Sequence, residues 1–333
     1  MAHSRLAGPL GTRGARIARP EPPPGPLGVD AGECNADSPG PLGNNDWAEF
    51  AAGGRMGPRT AELSAVTCAC DRDLRLRELR RLYPRQSRTV CEAFLPFLNA
   101  TFKAYKIRSC LRKAHFLAQV AHESGELQFT REQVSNRVAQ ANYAGYQGRG
   151  LIQLTFENNY RRYGIHAGHD FLREHKTDLE LPKWASDSAG WFWTAGSGEN
   201  LNALADDNDL LAITAQINGG FNGFDDRRTH LKLAFKVLKV PECKSARSGA
   251  HPYRPFAQSR CYDDLVHAFA WGAWNDPAAR KTGVSPQLPA ERRSGYTRYL
   301  ELRAKSARPP SAHEHHYGFS VAEMDRLAAA GSR

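Results

Sequence analysis

Long hydrophobic runs are missing from this chain. None approaches the roughly 18 residues that a helix needs to cross a bilayer, so no integral membrane segment is expected. A conventional secretory signal is not expected either. Prolines and glycines interrupt the N-terminus, with its Arg5, Arg13, Arg16 and Arg19, where a signal peptide would carry an unbroken apolar stretch. Cysteine is sparse: seven residues, an odd number without a CxxC pair, indicate neither a full disulfide framework nor a zinc knuckle. Cys68 and Cys70 stand apart from other ligands in the sequence, so no metal and no cofactor is expected. Strand-like alternation is nearly absent, which points to a mainly α fold.

What is present is length, charge and helical periodicity. With 333 residues, 41% of them hydrophobic, the chain can bury one large or two modest cores. The formal net charge of +10 points to a polyanionic partner without choosing among nucleic acid, anionic lipid and cell wall. Residues 1–59 are rich in Pro, Gly, Ala and Arg, with PEPPPGP at 20–26, and lack any periodic apolar face. They read as a disordered leader. Leu74, Leu76, Leu79 and Leu82 then form a helical stripe ended by Pro84, and Val90 to Phe102 predicts a second helix with Pro96 as a kink. Further helices are expected at 111–124, stopped by Gly125, and at 156–163, 188–195, 209–218 and 226–240. Asp207 or Asn208 is the expected cap of the helix at 209–218. After Pro241 the composition shifts to Pro, His and Arg, with helical patterns at 262–272, 290–304 and, behind a Ser320 cap, 321–330. The division is thus leader 1–59, main domain 60–240 and C-terminal extension 241–333.

Three polar clusters carry possible chemistry. AHFLAQVAHESGE, 114–126, sets His122 and Glu123 at the end of an apolar helix. A carboxyl group half-buried there suits a general acid, although a solvated or capping carboxylate reads the same in isolation. YQGRGLIQLT, 146–155, is a glycine-rich turn followed by Gln153 and Thr155, with Asn158, Asn159 and Tyr160 beyond. These neutral donors and acceptors suit sugar hydroxyls and N-acetyl groups, and the lysine and hydroxyl that would complete a phosphate loop are missing. INGGFNGFDDRR, 217–228, puts Asn218 at one helix end and Arg227 at the start of the next. His122 and Glu126 also have the i, i+4 spacing of zinc-protease ligands, but the second histidine is a glutamate and Gly125 would break the helix. Trp191 and Trp193, within AGWFWTAG, read as core rather than as a sugar platform.

Together, in this order, HESGE, GRGLIQLT, the Asn-rich helix, AGWFW and INGGFNGFDDRR resemble the catalytic domain of glycoside hydrolase family 19, over roughly Leu74 to Val240. The resemblance implies a lysozyme-like helical domain with a cleft. It also implies a polysaccharide substrate, chitin or peptidoglycan, with no nucleic-acid partner; we expect a monomer made in the bacterial cytoplasm that acts on the cell wall after release or delivery. It assigns Glu123 as the acid, Glu132 as the base and Thr155 as the residue holding the attacking water. His122, Gln153, Asn159, Tyr160, Asn218 and Arg227 become the substrate-binding set and its charged support. Spacing bears on the base separately. Residues three apart on a continuing helix have Cβ atoms about 5–6 Å apart, whereas an inverting glycosidase needs its carboxyl groups roughly 6.5–9.5 Å apart. Glu132, beyond Gly125, is therefore favoured over Glu126, which remains the alternative. Departures fall in the same region: Glu126 stands where glycine is common, and QVSNR replaces an Asn-rich, Tyr-containing stretch. A non-catalytic sugar-binding module is the competing class, and activity on purified polymer separates the two.

Overall fold

The computed structural model describes residues 68–243, 253–279, 288–307 and 310–333. The leader, 1–59, lies outside them. Among the described residues, nine α-helices precede residue 243: α1 (Leu76–Leu82), α2 (Arg88–Ala104), α3 (Cys110–Ser124), α4 (Asn136–Tyr143), α5 (Glu157–Ala167), α6 (Pro182–Trp191), α7 (Leu201–Asp206), α8 (Leu210–Asn218) and α9 (Phe224–Leu238). Three more follow, α10 (Leu265–Trp274), α11 (Pro289–Lys305) and α12 (Val321–Gly331). Among the described residues the paired strands are two residues each, β1 (His315–His316) and β2 (Phe319–Ser320). The mainly α expectation holds.

Helix α3 runs through the core against α9 and α7. Twelve of its fifteen residues are buried, as its run of Ala, Leu, Phe and Val requires. Ser109 caps its first turn by accepting the Arg112 amide, and Gly125 ends it in the left-handed region at φ 58°. Phe116 meets Trp193 and Phe102 edge to face, with ring centroids 5.4 and 5.8 Å apart, at the centre of the core. Both Trp191 and Trp193 are buried, and the Trp193 indole donates to Asn202. Helix α9 packs along α3, with its start beside the end of α3 and its end beside the start of α3.

Several local expectations shift. Helix α6 begins at Pro182, six residues before the expected start, because proline at the first helical position needs no amide partner; the helix then widens into a π turn over Phe192–Gly196. The cap of α8 is Asp209 itself rather than Asp207 or Asn208, and α9 starts at Phe224 rather than 226. Pro96 sits inside α2 without ending it.

The C-terminal segment is continuous with this core. Trp271 of α10 meets Phe221 and Phe224 at 5.1 and 5.3 Å between centroids. Asp209, fully buried, accepts from the Ser259 hydroxyl and the Arg260 amide. These contacts place Trp271 against the turn at Phe221 and the first residue of α9.

Candidate active site

Glu123 lies in the last turn of α3 with its side chain only 3% exposed. Arg227, one turn into α9 and fully buried, donates from Nη2 to Glu123 Oε1 at 2.7 Å and from Nη1 to Gln119 Oε1. Gln119 is one helical turn before Glu123, so both lie on the face of α3 that meets α9. A guanidinium in this position holds the Glu123 carboxyl group in one orientation. Gln119 was not singled out in the sequence; its only signal was a polar residue inside an apolar helix.

His122 faces the first turn of α9 as well. Its Nδ1 is 2.7 Å from Asp226 Oδ2, and His230 approaches the other oxygen of Asp226 at 3.6 Å. Burial, and then the charge of Arg227, push the His122 imidazole below its ordinary range, so the ring is neutral at neutral pH. Burial alone would raise Asp226, but the hydrogen bond to His122 and the charge of His230 outweigh it and lower the carboxyl. Gly223, with φ 71°, lies flat against the His122 ring: a Cβ there would stand 2.0 Å from Cε1.

A second wall is built from backbone pairing. The Glu132 amide donates to Gly148 O at 2.8 Å, the Gly150 amide to Thr130 O at 2.8 Å, and Arg149 and Leu154 exchange both backbone bonds at 3.0 and 2.7 Å. This small ladder places Gly148–Gly150 between the segment carrying Glu132 and the segment carrying Thr155. The half-buried Glu132 carboxylate accepts from the Tyr143 hydroxyl and the Gly148 amide, each at 3.2 Å. Thr155 Oγ1 donates to the carbonyl of Gln153 at 2.8 Å. Gln153 is itself buried, at φ 56°, and its amide group is tied to Gly150 O at 3.0 Å. Asn159 Nδ2 donates to Thr155 O at 2.8 Å, and Asn218 is half-buried at the last position of α8.

The ladder has a buried anchor that the sequence did not reveal. Arg149, 3% exposed, donates to Glu180, to Gly145 O, to Tyr160 and to Gln147. Tyr160 is fully buried, and its hydroxyl donates to Gln147 O. It therefore supports the loop from beneath. Glu126 is also off the helix, at φ 61°, and its buried carboxylate accepts from the Arg85 amide and guanidinium at 3.1 and 3.0 Å. Two phenylalanines not singled out in the sequence, Phe129 and Phe156, flank this wall with 38% of their surface exposed.

Among the described residues, His122 and Glu126 belong to no group of three or more potential metal ligands. The cysteines do form one. Cys68, Cys70, Cys110 and Cys243 come together with all four sulfurs within 4.8 Å of one another, so the reading of Cys68 and Cys70 as isolated is corrected.

No family model matches the chain. A glycosyl hydrolase family 19 domain-containing protein of Haemophilus influenzae is 36% identical over 83 residues, covering 25% of this chain and 37% of that protein. An endochitinase of Arabidopsis thaliana is 33% identical over 129 residues, 36% of this chain and 44% of its own length. A second Arabidopsis thaliana endochitinase is 28% identical over 201 residues, 58% of this chain and 68% of its own. The chain thus spans less than half the length of the first two of these relatives. Chitinase C from Streptomyces griseus, a solved structure, aligns over 50% of this chain and 92% of its own with 23% identity and a TM-score of 0.42. In sequence, the chain is similar to proteins of glycoside hydrolase family 19.

Proposed function

We propose that the chain is a glycosidase that cuts β-1,4 linkages in a polymer containing N-acetylglucosamine, with inversion at the anomeric carbon. The observation that carries this reading is the Glu123 carboxyl group held by the fully buried Arg227 at the end of the most buried helix. As the general acid, Glu123 carries a proton on its carboxyl group. In the proposed reaction Glu123 gives that proton to the glycosidic oxygen as the bond to the anomeric carbon breaks. Glu132 takes a proton from water as the new carbon–oxygen bond forms on the opposite face.

Thr155 has a defined part in this scheme. Its hydroxyl proton is committed to the Gln153 carbonyl, so toward water it acts as an acceptor. A water giving one hydrogen to Thr155 and one to Glu132 keeps a lone pair for the sugar carbon. Gln153, Asn159, Asn218 and His122 would position the chain of sugars, and the net charge of +10 fits an anionic wall polymer better than uncharged chitin.

The decisive test is Glu123→Gln, assayed on purified chitin and on purified peptidoglycan. The amide cannot donate the proton, and a loss of about 10² to 10⁴ in rate is expected with the fold retained. Turnover within about threefold of the parent protein would sink the assignment of the acid. Product masses name the polymer, and early-time NMR of the new reducing end reports inversion or retention.

A further inference from the structure

We propose that Cys68, Cys70, Cys110 and Cys243 bind a single zinc ion that staples the two ends of the N-terminal helical unit to the start of α3. The four residues are far apart in sequence, yet three separate pieces of chain deliver them. Cys68 and Cys70 come from the segment before α1, Cys110 is the first residue of α3, and Cys243 follows the turn after α9.

The spacing fits one tetrahedral ion. With Zn–S near 2.3 Å, sulfurs at the corners of a tetrahedron lie about 3.8 Å apart. The sulfurs are gathered on that scale: Cys243 Sγ is 2.8 Å from Cys68 Sγ and 3.1 Å from Cys70 Sγ, and all four lie within 4.8 Å. One sulfur close to two others is a poor arrangement for a disulfide, which joins a single pair at about 2.05 Å. The space between the sulfurs admits one ion and no multi-iron cluster. Four sulfur ligands select zinc among the common divalent ions, since oxygen-preferring calcium and magnesium are excluded.

The surroundings supply a backbone donor and hold the cysteine-bearing loop in place. The Cys110 amide, at the positive end of α3, donates to Cys70 Sγ at 3.0 Å. Lys113, 2% exposed, donates from Nζ to Ala69 O at 2.7 Å and Arg72 O at 2.6 Å, fixing the loop that bears both N-terminal cysteines. Its charge offsets part of the net negative charge of zinc with four thiolates. The Ala69 amide reaches Leu238 O at 3.1 Å, so the loop is already bonded to the end of α9. Binding replaces four thiol protons, released to solvent, by four Zn–S bonds, with no change of oxidation state.

Thirteen residues of helix separate Cys110 from Glu123, about 20 Å at 1.5 Å per residue, so the ion is structural and takes no part in bond cleavage. The site stands independently of the proposed glycosidase activity.

The test is elemental analysis of the full chain purified with reductant and without chelator. About one zinc per chain is expected, with the protein colourless. Exchange with cobalt should give thiolate-to-metal charge-transfer absorption and the visible bands of a tetrahedral site. Cys110→Ser and Cys243→Ser should retain less than about a tenth of the zinc, and stripping the parent protein should lower its melting temperature by roughly 10 °C. Glu123→Gln should keep its zinc in full. A metal-free parent protein overturns the proposal, whether its mass shows two disulfides or its four thiols alkylate freely, and so does iron in place of zinc.

Discussion

The two carboxylates proposed to share the reaction are held in contrasting ways. Glu123 belongs to a regular helix and is oriented by a side chain 104 residues away, the buried Arg227. Glu132 belongs to an irregular segment and is placed by backbone pairing with Gly148 and by two longer bonds of 3.2 Å. Around it the chain repeatedly enters the left-handed region at residues other than glycine, at Glu126, Leu127, Gln153 and Phe156, with φ between 56° and 74°. Each such residue costs about 1–2 kcal/mol, so the second wall stores strain that the first does not. The acid side is held by side-chain packing, whereas the base side is held by backbone pairing in a strained segment.

The largest expected effect tests the strained wall. Glu132→Ala should lower turnover by about 10² to 10⁴, while Glu126→Ala, which removes only the carboxylate that binds Arg85, should keep turnover and lose stability. Steady-state rates on purified chitin and purified peptidoglycan decide this. A dead Glu126 variant beside an active Glu132 variant reverses the assignment of the base and leaves Glu123 in place.

The next effect probes the acid side. Arg227→Met leaves Glu123 and Gln119 buried without their donor and should cost about 3–5 kcal/mol in urea unfolding. Adding Glu123→Gln to that variant should recover part of the loss, because the remaining group is neutral. A loss under about 1 kcal/mol would show that the pair is solvated and not a buried clamp.

A smaller effect lies deeper in α3, behind the acid side. His115 is fully buried beside Asn208, and burial pushes its imidazole down to about 4. The folded state therefore binds this proton less readily than the unfolded chain. Its contribution to stability is complete above pH 6.5 and is lost as pH falls toward 4, about 3 kcal/mol over the whole interval. His122 and His230, both lowered chiefly by burial, act in the same direction. Melting curves from pH 7 to pH 4 should fall steeply for the parent protein and less steeply for His115→Gln. Equal slopes would mean that the ring is hydrated in the folded state.

The same contrast explains what was legible in the sequence. Helix α3 and its stop at Gly125 were readable because apolar periodicity and a C-terminal glycine are local signals. So was α12, whose Ser320 and Glu323 form a capping box. Helix α4 was not, since NRVAQANY buries only Ala139 and presents no apolar stripe. The supports of the site, Gln119 and Arg149, were equally hidden. Gln119 meets Arg227 across 108 residues and Arg149 meets Glu180 across 31, and single-sequence patterns carry no record of such pairings. The cysteines show the limit most clearly: spacing left them scattered, and only the antiparallel course of α3 and α9 brings Cys110 to Cys243. The buried position of Tyr160, whose hydroxyl donates to Gln147 O under the loop, was equally invisible beside a recognisable motif.

The contact between Gly223 and the His122 ring makes one position of this chain unusually intolerant in evolutionary terms. Every single-base change that replaces a glycine codon with another amino acid adds at least one carbon, and the first carbon at 223 would fall 2.0 Å from the imidazole. Relief would require moving the start of α9, and with it Arg227, away from the end of α3. The registration of acid and guanidinium thus depends on an atom that is not there.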